Sequence, residues 1–311
     1  MPKIRAYSKS PQSYQALLNK FKSRNLAVSD EDLAVSHLKH IGYYRLVGYG
    51  LPLEIKGSEN QRTRRFPDGL SFETLVLIYN VDRDIRTLLL GAIERIEVSI
   101  RNTINHELAC KYHSAHWYMD AGLFSENKDF SHSDFLRQIK SHTAHSATSG
   151  SERERKREVF IQHYFNQYDT PEYPPCWMVA EILPLGAWSI VFQHLKQSKD
   201  RKIISREFDL SPITLQSWLH ALTYLRNLCA HHARLFGRKL VITPNKDKHL
   251  PLLSENYLYN SICVIHQLLN VISTDAHKID DLNDIFEQLP ANYLEHYGFS
   301  ESWLENPFWL H

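Results

Sequence analysis

Ser71-Phe72-Glu73-Thr74 opens the stretch that decides the fold. Ser71 is the right residue type for a helix N-cap, and Glu73 puts an acid in the first turn. From there Phe72, Leu75, Val76, Tyr79, Ile85, Leu88, Leu89, Ala92, Ile93 and Ile96 recur at three- and four-residue steps. That is the spacing of one helical face, and it predicts a single long helix to about Tyr112. Working outward, residues 11–24 and 30–40 show the same period, the second behind the cap-forming Ser29-Asp30-Glu31. Ser211-Pro212 is an N-cap Ser followed by Pro at the first helical position, predicting a helix through Trp218, Leu222 and Leu225 to about Leu235. Tyr173-Pro174-Pro175 precedes an apolar helix pair at 177–183 and 185–195, and a further helix is expected at 257–272. Strand alternation is absent, so an all-α bundle with two long helices is expected.

The chain divides into an N-terminal helical region (1–70), a core (71–240) and a C-terminal helical tail (241–311). The N-terminal region holds the aromatic block Ile41-Gly42-Tyr43-Tyr44-Arg45-Leu46-Val47-Gly48-Tyr49 and a basic loop containing Arg62, Arg64 and Arg65. The His- and Ser-rich stretch that leads into Ser151–Glu158 reads as a flexible insertion near 141–158. Of the 311 residues 43% are hydrophobic, ample for a buried core. The balance of 36 basic against 35 acidic residues excludes a global basic field, so any polyanion must be held by a local patch. Four cysteines, Cys110, Cys176, Cys229 and Cys263, show no C-x-x-C spacing and read as reduced thiols. No signal peptide or membrane span is apparent, and a cytoplasmic protein with no membrane association is expected.

Two motifs carry chemistry. Arg101-Asn102-Thr103-Ile104-Asn105-His106 and Arg226-Asn227-Leu228-Cys229-Ala230-His231 both spell R-N-x-x-x-H. Arg is a permanent cation with a fork suited to phosphate, and His can donate or accept a proton near neutrality. On a helix, five residues turn through about 500°, so Arg and His lie roughly 140° apart while Asn and His stack. That geometry favours a composite site in which two such motifs face each other. The reaction these residues suit is attack of an RNA 2′-hydroxyl on the adjacent phosphate. One His would accept the hydroxyl proton and the other would protonate the leaving 5′-oxygen. Arg101 and Arg226 would offset charge on the phosphate, with Asn102 and Asn227 in support. Neither a metal nor a cofactor is required. Whether the motifs meet within one chain or across a homodimer is open at this level.

Neighbouring residues have weaker claims. His232 could orient His231, and Glu97 could hold Arg101 or His106. Arg234, Arg238 and Lys239, together with Arg62, Arg64 and Arg65, are candidates to contact an RNA backbone. The pairs His113/His116 and His142/His145 lack companion ligands for zinc.

The stretch Leu225-Arg226-Asn227-Leu228-Cys229-Ala230-His231-His232-Ala233-Arg234-Leu235 resembles the hallmark of the Abi-like (AbiD/AbiF) family, bacterial abortive-infection proteins of the HEPN superfamily. The aromatic block, Tyr79-Asn80-Val81-Asp82-Arg83-Asp84-Ile85-Arg86 with Ala92 to Glu97, and Pro174-Pro175-Cys176-Trp177 with Leu185-Gly186 resemble its other blocks. Val81 and Pro184 depart from the expected pattern. The resemblance covers about 12–240. It implies a HEPN helical fold, phage defence and metal-independent endoribonuclease activity, in an abortive-infection or toxin–antitoxin-like setting. It also implies a restraining small noncoding RNA partner. A two-motif layout is similar, more distantly, to type VI CRISPR nucleases. A protein that holds a structured noncoding RNA without cutting it is the alternative.

Overall fold

A computed structural model of the chain describes residues 8–58, 61–143, 158–247, 250–251, 253, 255–272 and 278–310. Its axis is the helix expected from the periodicity, Phe72–Tyr112 (α4, 41 residues), about 60 Å long at about 1.5 Å per residue. The Ser71 hydroxyl accepts from the Thr74 amide at 3.1 Å, and His113 ends the helix in the left-handed region at φ 49°. One stripe of α4 is buried from end to end, through Leu75, Ile78, Ile85, Leu89, Ile93, Ile96, Ile100, Ile104 and Leu108. A helix buried over that length must be wrapped by other elements rather than lie on a surface.

Before it come Tyr14–Lys22 (α1), Glu31–His40 (α2) and Tyr43–Gly50 (α3). Leu18, Phe21, Ala34, Leu38 and Leu46 from these helices pack with Phe66, Leu70, Phe72 and Leu75 in a cluster around the first turns of α4. Asp30 caps α2 through the Leu33 amide, at 2.9 Å. Tyr43 packs its ring on Phe21, whereas Tyr44 is 91% exposed. The α3 period puts Tyr49 and Leu46 inward and leaves Tyr44 on the opposite face.

After α4 the chain forms His132–His142 (α5), Val159–Gln167 (α6), Cys176–Ile182 (α7), Leu185–His194 (α8), Ser198–Arg206 (α9) and Pro212–Ala230 (α10). The expected flexible insertion near 141–158 lies mostly outside the described residues. The cap on α10 is as expected, the Ser211 hydroxyl accepting from the Thr214 amide at 3.1 Å. Its end is not: α10 stops at Ala230 rather than Leu235. His232 adopts φ 57°, and the Ala233 and His232 amides fold back onto the Leu228 and Cys229 carbonyls. This is a Schellman closure with histidine in the left-handed position usually held by Gly. It is pulled over by bonds further on, where the Leu235 and Phe236 amides seek a buried carboxylate on α4.

The region read as a tail is part of the core. Leu258–Ile272 (α11) is buried on every face over its first nine residues. Lys278–Phe286 (α12) follows, and Phe286, Tyr297, Phe299, Trp303 and Trp309 form an aromatic cluster continuous with the α4 core. Among the described residues there is no β-strand, only isolated bridges such as Ala27 to Ser71. No helix among them is long and apolar enough to cross a membrane. The protein is all-α.

Candidate functional site

The first motif lies wholly within α4, so its Arg and His keep the helical spacing. Arg101 is largely buried and pairs with Glu181 of α7, Nη2 to Oε2 at 2.7 Å. The Arg101 Nε is buried without a partner. His106 is exposed, with Nε2 3.8 Å from the Cys110 Sγ. Asn102, Asn105, His106, Trp177 and Glu181 line a cavity of about 450 Å³ between α4 and α7. The cation of this motif is therefore already engaged by a carboxylate.

The second motif ends α10 and unwinds at its histidine. His231 sits at φ −90° and ψ 14°, its amide still bonded to the Asn227 carbonyl at 3.0 Å. Asn227 and His231 are exposed and Arg226 is half-buried. Among the described residues no hydrogen bond or ion pair engages the side chains of these three. This motif is an uncommitted cation, amide and imidazole on one helix end.

What holds that end is a network the motif reading did not include. Asp82 of α4 is completely buried and pairs with Arg86, one turn on. It also accepts from the Tyr49 hydroxyl (2.8 Å), the Tyr297 hydroxyl (3.1 Å), the Leu235 amide (3.2 Å) and the Phe236 amide (2.9 Å). One carboxylate thus ties α3, α4, the turn after the second motif and the C-terminal segment. Burial, with the Asp82 charge alongside, pushes both phenols far above their ordinary range. They stay protonated donors. Arg86 reaches on to the Ala233 carbonyl (3.4 Å), and Arg45 of α3 donates to the His232 carbonyl (2.8 Å). The sequence signal was present: Asp82 and Arg86 are four apart and fall in the apolar stripe of α4, where an unpaired charge would be costly.

The network also fixes where the motifs stand. Arg86 touches the end of the second motif, and His106 lies about 30 Å further along α4 at about 1.5 Å per residue. The two motifs therefore do not face each other within one chain.

Several neighbouring candidates are committed elsewhere. Glu97, expected to steady Arg101 or His106, instead accepts from the Leu185 amide at 2.9 Å and caps α8. Pro184, which precedes Leu185, cannot supply a side-chain cap, and Glu97 fills that role. Arg62 forms a two-pronged pair with the buried Glu54 (2.9 and 2.7 Å), and Lys239 pairs with Glu255 at 2.8 Å. Arg234 is turned partly inward, and burial pulls its guanidinium below the ordinary value. Arg64, Arg65, Arg238 and His232 remain accessible to different degrees. Cys229 is buried, and burial pushes its thiol up to about 12, so it is not a nucleophile at neutral pH.

The sequence reading missed a cleft beside the second motif. His40, Arg45, Tyr79, Arg83, Arg86, Thr87, Cys229 and His232 surround about 450 Å³ between α2, α3, α4 and the end of α10. None of the lining residues is a carboxylate.

Residues 36–237, more than half of the chain, match the family model described as Abi-like protein. The match is narrower than the 12–240 expected, leaving α1 and the first half of α2 outside. Comparison with curated proteins and with solved structures returns no match. The matched residues include both R-N-x-x-x-H motifs, the Asp82 network apart from Tyr297, and the basic cleft. The chain belongs to the family of Abi-like proteins.

Proposed function

We propose that this Abi-like protein is a metal-independent endoribonuclease of an abortive-infection or toxin–antitoxin-like system, with its reacting groups at the end of α10. The observation that carries the reading is the second motif itself: Asn227 and His231 are exposed and Arg226 half-buried at one helix end, and among the described residues no hydrogen bond or ion pair engages their side chains. The HEPN assignment and the RNA substrate rest on the motif and on family likeness. In this reading Arg226 holds the scissile phosphate, and His231 moves a proton to or from the 2′-hydroxyl or the 5′-oxygen. Asn227, one turn before His231, steadies the imidazole or a phosphate oxygen.

Acid and base must act on opposite sides of the phosphate, so two histidines are needed. Because His106 stands about 30 Å away along α4, the second imidazole comes from the same motif of another copy across a two-fold axis. DNA, which lacks the nucleophile, is inert. A small noncoding RNA seated over the same residues would restrain the enzyme.

The test is cleavage of labelled RNA in EDTA by wild type, His106→Ala and His231→Ala. Wild type should leave 2′,3′-cyclic phosphate ends. His231→Ala should lose about 10²- to 10⁴-fold in rate, the range of a general acid or base, while keeping its affinity for RNA. No cleavage by stripped wild type, with RNA bound tightly, would replace the nuclease with an RNA-holding protein.

A further inference from the structure

We propose that the cleft between α2, α3, α4 and the end of α10 is a phosphate-binding site, seating a phosphate group with its attached nucleoside beside the second motif. Three guanidiniums, Arg45, Arg83 and Arg86, and two imidazoles, His40 and His232, converge on one concavity that no carboxylate lines. A concavity lined by guanidiniums and by no carboxylate attracts an anion. Two of the cations are partly satisfied, Arg86 by Asp82 and Arg83 by the neighbouring Asp84 at 2.9 Å. Arg45 is not: among the described residues it makes no ion pair, and its one bond goes to the His232 carbonyl. That bond fixes one edge of its guanidinium and leaves the other edge available, the planar fork that suits phosphate oxygens.

Size and walls say more about the ligand. A cavity of about 450 Å³ exceeds what a bare phosphate fills and lies in the range of small-molecule sites. Ile41, Tyr79 and Leu90 supply apolar lining, and the Tyr79 ring is held edge-on by Tyr49 at 5.7 Å. A cationic end and a rigid aromatic wall match a nucleotide, in which a phosphate is joined through a sugar to a flat base. His232 belongs both to this lining and to the turn that carries His231, so an occupant would be adjacent to the motif. Of the basic loop residues singled out by sequence, none lines this cleft, and Arg62 is paired with Glu54. The phosphate site stands on its own geometry, and only the identity of the carrier, an RNA strand or a free mononucleotide, rests on the nuclease reading.

The experiment is a binding titration in EDTA using a fluorescent 2′-O-methyl oligoribonucleotide, which cannot be cut by 2′-hydroxyl attack. Affinity is measured from low to physiological salt for wild type, Arg83→Glu, His40→Ala and Arg45→Lys, with the remote surface variant Arg206→Glu as the matched charge control. Arg83 and His40 are exposed, so these variants should fold; circular dichroism and the thermal midpoint check that they do. Arg83→Glu should weaken binding at least about tenfold and make the salt dependence shallower by about one phosphate contact. Arg206→Glu should change little. Competition identifies the carrier. If AMP displaces the probe at the oligonucleotide's own affinity, the site takes a mononucleotide; if only longer chains compete, it holds a strand. Wild-type affinity in Arg83→Glu and Arg45→Lys, or equal loss in Arg206→Glu, overturns the site. Because the probe is inert, loss of binding without any measured RNA cleavage would keep the site and retire the nuclease. Cleavage without any effect of these variants on binding would do the reverse.

Discussion

Asp82 is a single residue on which four segments depend. It is completely buried, and its charge is matched by Arg86 and by two phenols and two amides. Removing one partner of a buried pair strands the other, at a cost of about 3–5 kcal/mol. Asp82→Ala should lose that much in a urea unfolding titration and should also release the turn at His232, which would show as faster amide exchange at Ala233, Leu235 and Phe236. Asp82→Ala within about 1 kcal/mol of wild type would mean the network is peripheral. At this scale the motif letters were legible, because R-N-x-x-x-H is local in sequence. Their state of engagement was not: the Glu181 that neutralises Arg101 lies 80 positions away.

At the scale of elements, caps decide where helices begin and how they are tied. Glu73 in the first turn of α4 accepts from the Ser29 amide (3.0 Å) and hydroxyl (2.7 Å). Burial acts to raise this carboxyl, but the hydrogen bonds from Ser29 and from backbone amides outweigh it and hold it at about 2. A carboxyl whose folded value is depressed stabilises the fold fully above its ordinary 4.5, and that contribution is lost as pH falls towards about 2. The gap in thermal midpoint between wild type and Glu73→Gln should therefore be widest at neutral pH and close across that window. Glu97 does for α8 what Pro184 cannot. Glu97→Ala should cost about 0.5–2 kcal/mol, as lost caps do, and leave the proposed RNA cleavage by the folded protein unchanged. A fall in turnover at full stability would return Glu97 to the reacting site. Most helix starts were legible because cap residues sit next to what they cap. The end of α10 was not, since distant Asp82 draws the chain into a turn five residues early.

For the whole molecule the decisive quantity is the length of α4. With one motif near the C-terminal end of α4 and the other beside Arg86, about 30 Å back along the helix, the chain by itself keeps the two motifs apart. A reacting site with two histidines from two copies has a quantitative signature. When wild type is co-expressed with inactive His231→Ala, cleavage should fall as the square of the wild-type fraction, and sedimentation should find a dimer. A linear fall, with a monomer in solution, would place both proton-transfer groups in one chain.

The sequence alone determined the helical class, the span of α4, the caps at Ser71 and Ser211 and the two motifs, because each is written in spacing over a few turns. Tertiary structure decided the rest: the separation of the motifs, the pairing of Arg101 with Glu181, the burial of the C-terminal segment and the convergence of Arg45, Arg83 and Arg86. These depend on contacts between residues far apart in the chain. Neither helical period nor local composition encodes which distant carboxylate will reach which guanidinium. That is settled only when the long apolar stripe of α4 is covered and the charges beside it must find partners.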